Sequence, residues 1–171
     1  MNGAKKFFGK YRGTVVNNID PMQIGRIMAI VPDVGNLVPS SWAMPCVPIA
    51  NKASGVYVVP QIGSGVWIEY EHGDPDFPIW VGGFWGTVAE IPPFALLAPP
   101  GDPPIVINST LQNAVVVSDL PVLPMIEGGV MLVSGASYIA VSPTMIKIFS
   151  PTIMINGLMI VNDGALAVAP A

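Results

Sequence analysis

The chain has 171 residues and a net charge of −4; only 11% of it is charged and 51% is hydrophobic. An ordinary soluble domain carries about 25% charged residues, so a membrane protein is the first thought, yet Pro, Gly, Ser or Asn cut every apolar run within about ten residues, short of the ~20 a spanning helix needs. One cysteine, Cys46, excludes an internal disulfide framework, and the acidic balance argues against a general nucleic-acid binder, which needs a basic stripe to meet phosphates.

The N-terminal MNGAKKFFGKYRG is basic but has no apolar core or small-residue cleavage site, so no signal peptide is expected. Arg12–Val16 and Met44–Ala50 are weak strand candidates. Gly25–Val31 places Ile27, Ala29 and Val31 on one face. Gly65–Glu71 alternates Val66, Ile68 and Tyr70 with Trp67, Glu69 and Glu71, the pattern of a half-buried strand. Ile79–Phe84 follows the turn HGDPDFP. Five short strands without a convincing helix predict a small closed barrel or sandwich over residues 1–90.

Residues 91–104, IPPFALLAPPGDPP, hold six prolines and read as a semi-extended linker, since proline fixes φ and donates no amide hydrogen. Residues 1–90 hold 13 of the 18 charged groups; residues 91–171 hold Asp102, Asp119, Glu127, Lys147 and Asp163 alone. Such a segment cannot solvate itself as a monomer, so an obligate oligomer is expected, with the C-terminal half as its interface. A disordered apolar tail is the alternative, but disorder goes with low hydrophobicity. Within residues 105–171, SPTMIKIF (142–149), SPTIMIN (150–156), GLMIVND (157–163) and GALAVAP (164–170) form an internal repeat of short strands with apolar residues on both faces. They predict a stacked β-solenoid wrapped with copies of itself, with neither a polar face nor a private core. An ordinary second β-domain is the alternative.

Candidate chemistry is sparse. Cys46 lies in the apolar run MPCVPIA and reads as buried and inert. His72 lies in an acidic turn. Glu69, Glu71, Asp74 and Asp76 read as strand and turn carboxylates rather than a cation site or a glycosidase pair. P-loop, HExxH, CxxC-pair and GxSxG motifs are absent. No catalytic residue, metal or cofactor is expected, and an enzyme lacks its constellation.

The stretches GRIMAIVPD and GSGVWIEYEHGDPDFPIWVGGFWG, with Gly25-Arg26, Pro32-Asp33, Gly63 and Gly65, the turn Glu71–Asp76, Pro78 and Val81–Phe84 in order, resemble the OB-fold module of the phage baseplate assembly protein V family, shared with VgrG-type spikes. The resemblance covers roughly residues 10–90. It implies an all-β homotrimer: an OB-fold barrel (1–90), the Pro-rich linker (91–104) and an intertwined β-helix or β-prism needle (105–171). The function implied is the central spike of a contractile phage tail or injection system, a component of the virion or particle that meets the target membrane only on contraction. Implied partners are two further copies, a baseplate hub protein above the barrels and a PAAR-type tip protein. The inward face of the needle is expected at Ile146, Ile148, Ile153, Ile155, Leu158, Ile160, Leu166 and Val168, and the tip contact at Leu166, Ala167, Val168 and Ala169. The His-X-His pair by which many relatives bind a metal near the C-terminus is missing, since the one histidine is His72. The alternative is an OB barrel gripping single-stranded nucleic acid or sugar, with Trp42, Trp67, Trp80 and Trp85 as stacking platforms.

Overall fold

The computed structural model describes residues 5–111 and 113–154. The chain divides into two compact units, residues 1–90 and 91–171. Among the described residues no helix is long and apolar enough to cross a membrane.

The first unit is a curled five-stranded sheet, formed by β1 (Tyr11–Asn17), β2 (Met28–Ile30), β3 (Met44–Pro45), β6 (Gly65–Tyr70) and β7 (Pro78–Phe84). Its order is β2-β1-β6-β7-β3. An antiparallel bridge between Ile27 and Ala43 joins the residues leading into β2 and β3, and so closes the ring. Closure shortens the open edges that would otherwise invite pairing with other chains, leaving β7 unpaired on one side beyond Trp80. The alternating side chains then share one interior: Val15, Ile27, Ala29, Val31, Ala43, Val66, Ile68, Tyr70 and Trp80 are buried together. Among the described residues of this unit helix is confined to α1 (Pro32–Gly35) and single 3-10 turns.

Met44–Ala50 does not run as one strand. β3 stops at Pro45, because Pro45 and Pro48 remove the amide hydrogens a ladder needs. A separate hairpin, β4 (Ala50–Asn51) and β5 (Ser54–Gly55), follows with its tip at Lys52 and Ala53.

The second unit contains a five-stranded antiparallel meander: β8 (Ile105–Asn108), β9 (Asn113–Ser118), β10 (Gly129–Ser134), β11 (Ser137–Val141) and β12 (Ile146–Phe149). The order β12-β11-β10-β9-β8 follows the chain. One face is covered. Ala114, Val116, Met131 and Ala140 pack with Val122 and Met125 of the loop between β9 and β10, and Phe94 and Ala98 pack against them.

This unit therefore has a private core, contrary to the expectation drawn from its strands alone. The cover comes from loop and Pro-rich residues, which carry no strand periodicity to announce it. Pro93–Leu96 form a 3-10 turn that brings Phe94 there. In the repeat, 146–149 forms the fifth strand of this meander, while residues from 155 onward lie outside the described residues.

Gly129 opens β10 where a Cβ would collide with the carbonyl oxygen of Val141 on the paired strand. Gly129→Ala must push β10 and β11 apart and is expected to cost about 3 kcal/mol, read from denaturant unfolding of the full chain.

Candidate functional site

The other face of the meander is apolar and exposed. Pairing register aligns Ile105, Val117, Val130, Val141 and Ile146 in one row across the five strands, and Ile107, Val115, Leu132, Ile139 and Ile148 in a second. All ten are large aliphatic side chains, and all are 36–71% exposed. At roughly 100 Å² each, the stripe offers on the order of 1000 Å², above the few hundred Å² typical of a monomer surface and the ~800 Å² each partner gives to a standard interface. Adjacent strands lie about 4.8 Å apart, so the rows run some 20 Å along the stacking direction.

Both margins are polar. On one side Ser134 Oγ donates to Asn113 Oδ1 at 2.7 Å, and the Ser137 and Ser150 hydroxyls lie 3.0 Å apart. On the other, Thr144 Oγ1 lies 2.8 Å and 2.9 Å from the Glu127 carboxylate oxygens, and Asp119 is exposed. An apolar centre with a polar rim is the anatomy of a protein interface.

Of the residues expected on the inward face of a needle, Ile146 and Ile148 lie on this stripe. Ile153 is exposed beyond β12. Ile155, Leu158, Ile160, Leu166 and Val168, and the tip positions Ala167 and Ala169, lie outside the described residues. The eight stripe residues contributed by β8 to β11 were not singled out from sequence. The readable signal is the turn Ser134–Ser137, which pairs Ser134 with Ser137 and so fixes which alternate residues share a face.

In the first unit, Cys46 is exposed, not buried. Its amide donates to the Trp80 carbonyl at 2.9 Å, as the last rung before Pro48 ends pairing. The thiol-bearing residue lines a groove of about 1080 Å³ beside β7.

Three of the four tryptophans are engaged internally. Trp80 is 7% exposed and donates Nε1–H to the Gly25 carbonyl at 3.0 Å. Trp67 packs on Phe84, with the Arg12 guanidinium over both rings, and Arg26 lies over Trp42. Trp85, 63% exposed, is the most open of the four.

Sequence reasoning missed Asp20. Its side chain is 3% exposed, and it accepts hydrogen bonds from the amides of Met22, Ile24 and Arg26 and from Arg26 Nε and Nη2, the last at 2.6 Å. The Arg26 guanidinium, seconded by those amides, holds the carboxyl well below the usual carboxylate range. Gly25-Arg26, part of the family-like phrase, thus serves to anchor the loop between β1 and β2.

The acidic turn is structural. His72 adopts a left-handed conformation, and Asp74 Oδ1 accepts the Asp76 amide, which with the Lys6 ammonium lowers the Asp74 carboxyl. Glu71 opens a 3-10 turn and so leaves the strand that carries Glu69. Among the described residues no three His, Cys, Asp or Glu side chains come together as metal ligands.

Lys10 Nζ donates to Glu69 Oε1 at 2.6 Å, with both side chains exposed. Exposed pairs contribute little, so Glu69→Ala should alter unfolding free energy by under about 1 kcal/mol, measured by chemical denaturation.

No curated protein matches the chain. Residues 11–85, which hold all five strands of the ring, match the family of the Type VI secretion system/phage-baseplate injector OB domain, and this supports a baseplate injector OB domain over that stretch.

Proposed function

We propose that the chain is the structural central spike of a contractile phage tail or phage-tail-like injection system, working as a homotrimer. The observation that carries this reading is the ten-residue aliphatic stripe. A lone chain leaves it in water; three copies that turn their stripes toward one axis bury it while their polar margins stay wet. Strands stacked along that axis pair every interior backbone group, and close-packed aliphatic side chains fill the centre, so the body resists bending. A piercing rod needs that stiffness.

The match over residues 11–85 supports the baseplate setting and a structural, non-enzymatic role. In this reading the barrel engages a hub protein, and residues 164–171 carry a small tip protein of the PAAR type. The assembled particle is the site of action, and the target membrane is met on contraction. Light scattering tests the assembly: a mass near three times 18.0 kDa is expected at micromolar concentration, and a stable species at 18.0 kDa overturns the reading.

A further inference from the structure

The first unit carries a second apolar surface that the stripe does not use. Between Asp33 and Glu69 the chain has one charged residue, Lys52, at the tip of the β4–β5 hairpin. Around that hairpin Ile49, Val56, Tyr57 and Val58 are 49–68% exposed; Val56 and Val58 run on into a groove beside β7, where Ile62 and Trp85 are equally open. Hairpin flanks and groove rim together present on the order of 700 Å² on each copy, near the ~800 Å² that one partner contributes to a standard interface.

The groove of about 1080 Å³ beside β7 has complementary character. Its lining is mainly aliphatic and aromatic and includes Gly82 and Gly83. Beyond Trp80, β7 has no ladder partner on the side away from β6, because β3 pairs it only at Ile79 and Trp80. The groove contains one charged residue, Glu90. That carboxylate is exposed; Oε2 accepts the Gly86 amide at 2.8 Å and Oε1 accepts Thr87 Oγ1 at 3.4 Å, and an ionised carboxylate has further lone pairs for a cation. No residue from 49 to 55 lines this groove, so the hairpin tip of the same copy does not occupy it. Lys52 makes no ion pair among the described residues.

We infer that the hairpin of one copy seats its tip in the groove of the next copy, with Lys52 against the partner's Glu90. The hairpin tip and the groove are distinct parts of one continuous surface, so their contact between copies is head-to-tail, which closes into a ring when the rotation permits. The inference rests on the homotrimeric reading above, which supplies the three-fold closure. The one cation of the arm meets the one anion of the groove, and the apolar flanks of each are covered together.

Zero-length carbodiimide coupling of the native full chain tests this, because it joins only an amine and a carboxylate already in contact. Peptide mass spectrometry of the gel-separated products is expected to find a Lys52–Glu90 amide in the covalent dimer and trimer bands and not in the monomer band. The Lys10–Glu69 amide, an intrachain contact, should appear in every band and confirms the coupling. Lys52→Gln should remove the interchain product while light scattering still gives the trimer. A trimer by light scattering with no interchain Lys52–Glu90 product, although Lys10–Glu69 couples, overturns the hairpin contact and leaves the spike reading intact. A monomer by light scattering overturns both.

Discussion

Leu132→Asp is expected to leave the chain monomeric and folded. Leu132 lies at the middle of its row, between Val115 and Ile139, on the central strand of the meander. It is 49% exposed in the single chain, so an aspartate there meets water and costs little beyond its poor fit to a strand, within about 1 kcal/mol. In a trimer the same carboxylate is carried to a dry, shared centre three times over. Burial of an unpaired charge costs several kcal/mol per copy, and here the three charges also repel one another. The scattering mass should fall from three times 18.0 kDa to 18.0 kDa, while circular dichroism keeps its β signature. Leu132→Met, which keeps the volume and apolar character, should stay trimeric. If the aspartate variant elutes unchanged as a trimer, the stripe is not the interface.

The barrel was legible because its strands obey one period. Val66, Ile68 and Tyr70 alternate with Trp67 and Glu69, and the structure buries the first set and half-exposes the second. Ile27, Ala29 and Val31 behave alike, because one face of a closed ring is always inside. The second unit defeated the same reading. Its strands are apolar on both faces, so period two says that there is a strand without saying which face is covered. The decision lies in Val122 and Met125, two loop residues with no periodic neighbours, and in Phe94 within the Pro-rich stretch. Cys46 was misplaced for a related reason. An apolar run between two prolines resembles an interior strand, but the prolines end the pairing and turn the residue outward. Asp20 escaped notice because its partners are backbone amides, which any sequence supplies and no motif records.

Asp20→Asn is expected to lower the melting temperature of the barrel and flatten its response to acid. The loop between β1 and β2 has no strand of its own at Asp20–Arg26. Its shape depends on one carboxylate that gathers three amides and the Arg26 guanidinium. An asparagine of the same shape keeps an acceptor but loses the charge, turns one of its two oxygens into a donor aimed at donors, and leaves Arg26, itself 17% exposed, without its counter-ion. A fall of roughly 5–10 °C is expected. The sign of the pH effect follows from the direction of the shift. The folded carboxyl titrates below its ordinary value of 3.8, so its contribution is fully present above that value and is lost as the pH falls through the acid range toward the folded value. From pH 7 to about pH 5 the wild-type barrel should therefore hold its stability against this group, and below pH 4 it should weaken with each unit of acidification. The variant has no proton to bind at residue 20 and should show a shallower acid limb, to which Asp74, also lowered, still contributes. Thermal melts of both proteins at pH 3, 4, 5 and 7 read the difference. Parallel acid limbs would mean that Asp20 is not the group that ties this loop to the barrel.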